Sequence, residues 1–448
     1  MVDQAAGHSV KRSLALYERA QALIPGATQL ISRRATRFAY GVTPIYAARA
    51  KGSHLWDVDG QEYIDWMSSI LAIILGYADD VVDAVVKEQI DRGTMYSINH
   101  EREIELAEEL VRTIPSAEMV RYAKGGGEAC AIAVRIARGT TGRDKVLCCG
   151  YHGWHDWYLA ANLAQEESLD DHLFSGIEPI GVPKALAGTI YPFRYGDLGM
   201  LEDSLKQHAG EVACIIMEPM RSEEPPAGYL DGVRDLATRH EVVLIFDEVS
   251  SGFRPALGGA QEYLGVTPDM TVLAKGLANA YAMGAVVGKR WVMEPASRMF
   301  ISSTNWHDTL GITAALTTIR ELRRRNTVAH IHRIGRLLKQ QLNAAIADVG
   351  LAAEVRGCDW TPGIEFRVDD PTAQKKALTL YVQEMAKRGI FAPAHINING
   401  AHTDDDVAQT VAAAQETFAV IKAALDQDCL DEQLEAHLVE EPFRRLVS

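Results

Sequence analysis

The chain has 448 residues, 47% hydrophobic and 23% charged, the balance of a soluble folded protein rather than a disordered or membrane chain. Asp and Glu outnumber Lys and Arg 60 to 45, a formal charge of -15, which argues against a broad nucleic-acid surface and leaves room only for a local basic pocket. Two or three lobes are expected at this length. The six cysteines contain no C-x-x-C pair, and Cys148 adjoins Cys149, so they read as free thiols in a reducing cytoplasm.

The N-terminus lacks the uninterrupted apolar stretch of a signal peptide, and ILAIILGY at 70–77 is too short to span a bilayer, so a cytoplasmic protein is expected. SLALYERAQALIPG predicts an amphipathic helix stopped by Pro25 and Gly26. KGSHLWDVDGQEYIDW alternates apolar and polar residues around Asp59-Gly60 and predicts a hairpin. From about residue 80, helical patterns (DDVVDAVVKEQIDRG, EREIELAEELVRTI) alternate with the apolar runs MVRYA, KVLCC, VACIIM, VVLIF, MTVLA and GAVVG. That alternation predicts an α/β fold, a mostly parallel sheet with helices on both faces. After about residue 312 come a long helix rich in Ala, Leu and Arg, the strands AEVRG and GIEFRV, and two more helical stretches. The expected organisation is an N-terminal segment 1–75, a large domain 76–311 and a smaller C-terminal domain 312–448.

Ligands of an α/β sheet sit at the carboxyl ends of its strands, and four such places carry chemistry. After MVRYA, Gly125, Gly126 and Gly127 precede Glu128 and a helical pattern; three glycines let backbone approach an anion at a helix N-terminus, although a plain glycine turn explains them equally well. After KVLCC comes YHGWHDWY, whose Tyr151 could stack on a flat ring. Its His152, His155 and Asp156 could instead bind metal, but no full ligand set accompanies them. Asp247 and Glu248 follow a buried strand, where a carboxylate needs a cation or several donors to stay ionised. Lys275, 28 positions later in TVLAKGL, ends another; a desolvated amine is nucleophilic toward a carbonyl. A phosphate cradle, a stacking aromatic, an acid for a ring nitrogen and an amine for an aldehyde together describe pyridoxal 5'-phosphate.

With these motifs the sequence resembles the class III aminotransferases of the fold-type I pyridoxal-phosphate enzymes, and among them the glutamate-1-semialdehyde aminomutase-like branch. The resemblance runs from IPG through GEACAIAVRIARGTTGRDKV, FDEVSSGFR and AKGLANAYAMGAVVG to AHTDDDV. It implies that Lys275 holds the cofactor aldehyde as a Schiff base, that Asp247 partners the pyridine nitrogen, and that Tyr151 lies on the cofactor ring. It also implies that Gly126 and Gly127 bind phosphate through backbone N–H groups, that Glu218 is an acid near the cofactor, and that Thr304 reaches the phosphate of a neighbouring subunit, hence a homodimer with shared sites. The chain departs from the family in Gly125-Gly126-Gly127, where Ser-Gly-Thr is usual, and in Ile70, Asn305-Trp306-His307-Asp308 and Asn397 at pocket positions. Arg33 or Arg34 could take a substrate carboxylate, or the two could be a solvated pair.

The implied activity is transfer of an amino group from an amino-acid donor to a carbonyl acceptor, with a sugar or aminocyclitol carbonyl suggested by YHGWHDWY and SSTNWHDTLGITAAL. An aminomutase or epimerase would use the same lysine and acid. From other classes, a noncatalytic binding protein and a metal hydrolase built on His152, His155 and Asp156 are the rivals.

Overall fold

The computed structural model describes residues 8–164, 169 and 177–439, so the outermost ends of the predicted segments 1–75 and 312–448 lie outside the described residues. Within them the chain forms two compact units, one made of residues 8–70, 74–79 and 329–439, the other of 71–73 and 80–328.

In the first unit the helix Lys11–Leu23 ends where Pro25 and Gly26 begin. The strands β1 (Ala47–Lys51), β2 (His54–Asp57) and β3 (Glu62–Asp65) then form an antiparallel meander. Its second turn contains Gly60 at φ +94°, a conformation that costs glycine nothing.

The second unit carries a seven-stranded sheet built from β4 (Met119–Ala123), β5 (Lys145–Cys149), β6 (Ile190–Pro192), β7 (Val212–Met217), β8 (Val243–Asp247), β9 (Met270–Leu273) and β10 (Gly284–Gly288), in the order β4-β10-β9-β8-β7-β5-β6. β5 to β9 pair in parallel, and β10 is antiparallel to both neighbours. The central strands are buried throughout and largely apolar, apart from Thr271 in β9 and Asp247 at the end of β8, because both faces are covered. Cys214, Ile216, Val243 and Ile245 pack in one core with the helix Gly126–Thr141. Ile215, Met217, Leu244 and Phe246 point the other way, into a core shared with the helices Leu198–Gln207 and Tyr229–Arg239. The short β6 has too few residues for a periodic signal and is not legible in the sequence.

The long helical pattern after residue 312 is two helices, Thr309–Arg324 and Thr327–Val349, broken at Asn326 with φ +52°. The first buries Ile312, Ala315, Leu316, Ile319 and Leu322, and it packs on the helices Asp80–Arg92 and Glu101–Thr113 of the sheet unit. Residue 312 therefore lies inside a helix of that unit. The first unit is completed by the hairpin β11 (Ala353–Arg356) and β12 (Gly363–Phe366), the helices Pro371–Lys387 and Asp404–Asp426, and β13 (Ile390–Phe391), which pairs in parallel with β3.

In the large sheet β4, β5, β7, β8 and β9 all run the same way. The residues that follow them, Lys124 to Gly127, Gly150 to His152, Glu218, Glu248 and Lys275, emerge at one edge.

Candidate active site

Asp247, the last residue of β8, is 3% exposed and is held by three donors. Oδ1 accepts from the Val249 N–H at 3.0 Å, while Oδ2 accepts from His152 Nδ1 at 2.8 Å and from the Cys130 thiol at 3.3 Å. The expectation that a carboxylate here needs several donors is met by side chains from two other elements: His152 follows β5 and Cys130 sits one turn into the helix Gly126–Thr141. Burial, and then the neighbouring Asp247 charge, push the Cys130 thiol well above its usual value, so it remains a protonated donor. Nothing in the sequence singled out Cys130. Its one signal is helical spacing from a glycine loop expected to meet the same ligand.

The neighbouring Glu248 is fully buried and does different work. Its carboxylate accepts from the Ala260 N–H at 2.5 Å, from the Gln261 side chain at 3.0 Å and from Ser251 Oγ at 3.2 Å, tying the loop after β8 to the helix Ala260–Leu264. Burial raises its pKa. Arg254, 1% exposed, donates to the carbonyls of Leu71 and Ile73 at 2.7 and 3.1 Å, and burial lowers it to about 9, still a cation at neutral pH.

Lys275 follows β9, the strand beside β8, and is half-buried. Its Nζ donates to Ser250 Oγ at 2.6 Å, and its backbone lies at φ +47°, unusual for a side chain of this size. Ser250 was contained in the FDEVSSGFR motif, but no role for it was legible there.

The glycine loop caps its helix with its own acid: Glu128 accepts from the N–H groups of Lys124 and Gly125 at 2.7 and 3.4 Å. The first-turn N–H groups of Gly126 and Gly127 have no carbonyl four residues back to bond within the helix. Glycine is required at both positions by packing. A Cβ on Gly126 would stand 2.8 Å from Val249 Cγ1, and one on Gly127 3.0 Å from Gly153 Cα and 3.2 Å from His155 Nδ1. That His155 nitrogen is buried without a hydrogen-bond partner.

Tyr151, half-buried, packs against the core that holds the helix Gly126–Thr141, and its N–H donates to Glu218 Oε2 at 3.0 Å. The same oxygen accepts from Arg221 in a buried ion pair. The structure thus gathers Gly126, Gly127, Tyr151, Glu218, Asp247 and Lys275 at one sheet edge. Thr304 is exposed at the start of the 3-10 turn Thr304–His307, whose following Asp308 takes a 2.8 Å ion pair from Lys124.

Among the described residues the metal-ligating types that converge are Cys130, His152 and Asp247, and not His155 and Asp156. In the first unit Asn397 is buried between Met67, which accepts from its Nδ2 at 3.0 Å, and Thr361, which donates to its Oδ1 at 3.1 Å. There Arg33 donates to Ser69 Oγ at 2.5 Å. Ser68, Ser69, Ile70 and Leu71 all have positive φ.

A three-donor acid, a lysine on the adjacent strand end and a helix start with no side chains are groups that could hold a phosphorylated aldehyde cofactor. The sequence model of aminotransferase class III matches residues 37–400, and the chain belongs to that family, whose members use pyridoxal phosphate. Among curated relatives it is 37% identical to 3-aminobutyryl-CoA aminotransferase of Cloacimonas acidaminovorans, over 92% of this chain and 98% of the relative. It is 35% identical to glutamate-1-semialdehyde 2,1-aminomutase 2 of Exiguobacterium sibiricum, over 91% and 96%. Among solved structures it is similar to the FumI protein of Sphingopyxis sp. MTA144 in its pyridoxal-phosphate form, with a TM-score of 0.84 and 26% identity over 93% of this chain and 97% of that one. The residues present fit the cofactor: an amine for its aldehyde, a buried acid for its ring nitrogen, and, for its phosphate, first-turn N–H groups with no acceptor within their helix, near the buried His155 Nδ1 that has no hydrogen-bond partner among the described residues.

Proposed function

We propose that this aminotransferase moves an amino group from an amino-acid donor to a carbonyl acceptor, with Lys275 and Asp247 as its catalytic residues. The observation that carries the assignment is the juxtaposition of the Asp247 carboxylate and the Lys275 amine at the ends of the paired strands β8 and β9.

When bound, pyridoxal phosphate supplies an aldehyde that takes the amino group and a protonated ring that withdraws electrons. Lys275 would hold the cofactor at its aldehyde carbon, and its Nζ, when not so engaged, would remove and return the substrate proton. Ser250 Oγ, 2.6 Å from Nζ, orients that amine. Asp247 would partner the ring nitrogen, Tyr151 would cover the ring face and Gly126 and Gly127 would offer N–H groups to the phosphate, while Glu218 anchors the Tyr151 backbone.

The exposed Thr304 supports a homodimer in which it completes the site of the second copy, and exposed Ile98, Ile104 and Phe300 on the same unit supply apolar surface for that contact. Six free cysteines support a reducing, cytoplasmic setting. No helix among the described residues is long and apolar enough to cross a membrane.

For the acceptor two classes compete. The HGWHDW and SSTNWHDTL motifs favour a sugar or aminocyclitol carbonyl; the relative at 37% identity favours a β-oxo acyl thioester. The deciding experiment records absorbance of the purified protein with added pyridoxal phosphate, before and after borohydride, beside Lys275→Ala. A visible band made permanent by borohydride only when Lys275 is present supports the assignment, and no band at all refutes it. The same sample is then given glutamate or alanine with each acceptor class. Release of the 2-oxo acid marks transamination, whereas product formed without donor consumption marks an aminomutase or epimerase.

A further inference from the structure

The donor set of Asp247 is unusual in its count. An ionised carboxylate offers about four lone-pair positions. Three are filled from within the protein, by the Val249 N–H on Oδ1 and by His152 Nδ1 and the Cys130 thiol on Oδ2. One is left.

Cys130, His152 and Asp247 are 1%, 0% and 3% exposed, and their ligating atoms lie within 4.8 Å of one another. The far nitrogen of the imidazole, His152 Nε2, is buried with no partner, so the ring is anchored by hydrogen bonding through its Nδ1 and otherwise by contact with Trp157, stacked at 6.5 Å, and Tyr158, edge-on at 5.6 Å. Without a second anchor on Oδ2, the carboxylate could rotate with that ring. Cys130 projects from the first full turn of the 16-residue helix whose N-terminus holds Gly126 and Gly127, so its thiol links the acid to the helix that begins with the glycine loop.

We propose that Cys130 is a positioning residue of the cofactor site: with His152 it occupies Asp247 Oδ2 and leaves the carboxylate a single free lone pair, fixing its orientation toward the cofactor ring nitrogen. The inference rests on the assignment of Asp247 made above. It also accounts for a thiol, a weak donor, at a buried polar junction. An aliphatic side chain there would leave Oδ2 with one support.

The test uses the full chain loaded with pyridoxal phosphate and compares wild type with Cys130→Val, which keeps an apolar bulk but no donor, and Cys130→Ser, which keeps a donor. Cys130→Ala serves if the valine variant does not fold. Two properties of the bound cofactor are read: the pH midpoint of its visible band, and its rate of release on dilution into inorganic phosphate. Cys130→Val should move the midpoint and release cofactor about three- to tenfold faster, the range expected for losing one buried hydrogen bond, and Cys130→Ser should recover both. Unchanged midpoint and release in Cys130→Val would overturn the proposal. So would a serine variant as impaired as the valine one, since that result assigns the effect to packing. If wild type itself shows no band with added cofactor, the site assignment falls and this proposal with it.

Discussion

Two neighbouring strand ends in one sheet solve the same problem in opposite ways. At the end of β8 a carboxylate is buried and surrounded by donors. At the end of β9 a lysine is only half-buried and is aimed by its backbone, with Lys275, Asn279 and Ala280 all at positive φ. A permanent charge that must not move is held by hydrogen bonds, whose partners cost little once packed. The lysine is placed instead by a main chain in a region costly for a side chain of its size, and its Nζ donates to Ser250 Oγ.

The contrast is broken most severely at the lysine. Lys275→Ala should lower kcat by at least about 10²–10⁴-fold, the contribution of a positioned acid–base group, in a steady-state assay of whichever donor proves competent. Asp247→Asn should follow, about 10²–10³-fold, with the His152 contact retained, because an amide keeps the shape of the acid and loses its charge. If the asparagine variant kept full activity, the acid would be a structural group only.

The backbone side of the contrast makes a prediction of opposite sign. Lys275→Gly should raise stability by about 1 kcal/mol in denaturant melts even as it abolishes activity, because glycine adopts φ +47° without strain. At the glycine loop, Gly126→Ala should destabilise by about 1–3 kcal/mol and weaken cofactor binding, since its Cβ would stand 2.8 Å from Val249 Cγ1. Adding Val249→Ala should restore much of both losses, whereas an unchanged defect would place its cause elsewhere than in this contact.

The other unit pairs strain with saturation too, in the left-handed run Ser68 to Ile70 and in the Asp406 carboxylate, which takes donors from His54, Ser53 and the Thr403 N–H. There His402 is stacked on Trp66 at 4.0 Å, with Nδ1 accepting from the Asn399 N–H and Nε2 on the Asp65 carbonyl. Burial lowers its imidazole to about 4. Because the folded value lies below the ordinary 6.5, the folded state prefers the neutral ring. The stability this contributes is present above pH 6.5 and is lost as pH falls toward 4, by about 3 kcal/mol at most. Urea midpoints measured across that window should fall with pH, and His402→Gln should flatten the slope; a slope unchanged in the variant would assign it to other groups.

Much of the fold was legible because the buried strands of an α/β sheet must be apolar at every position, and runs such as VACIIM and VLIF admit little else. The hairpin at Asp59-Gly60 was legible from turn chemistry. β6 and β13, of three and two residues, were not: their pairing comes from neighbours rather than from their own pattern. The helix break at Asn326 escaped for a related reason, since apolar spacing continues across it and only a single left-handed residue divides the two helices.

For the site, sequence alone determined which residues stand immediately after the strands, because strand length and the residues that end it are local properties. Lys275, Asp247, Tyr151 and the three glycines were named on that basis, and Glu218 from the family resemblance. Tertiary structure decided which of them share partners. It joined Cys130 and His152 to one oxygen of Asp247 across separations of 117 and 95 residues, and it set Ser250 against Lys275. Hydrogen bonds of that range depend on sheet order and on the register of a helix over the sheet, which no local pattern encodes.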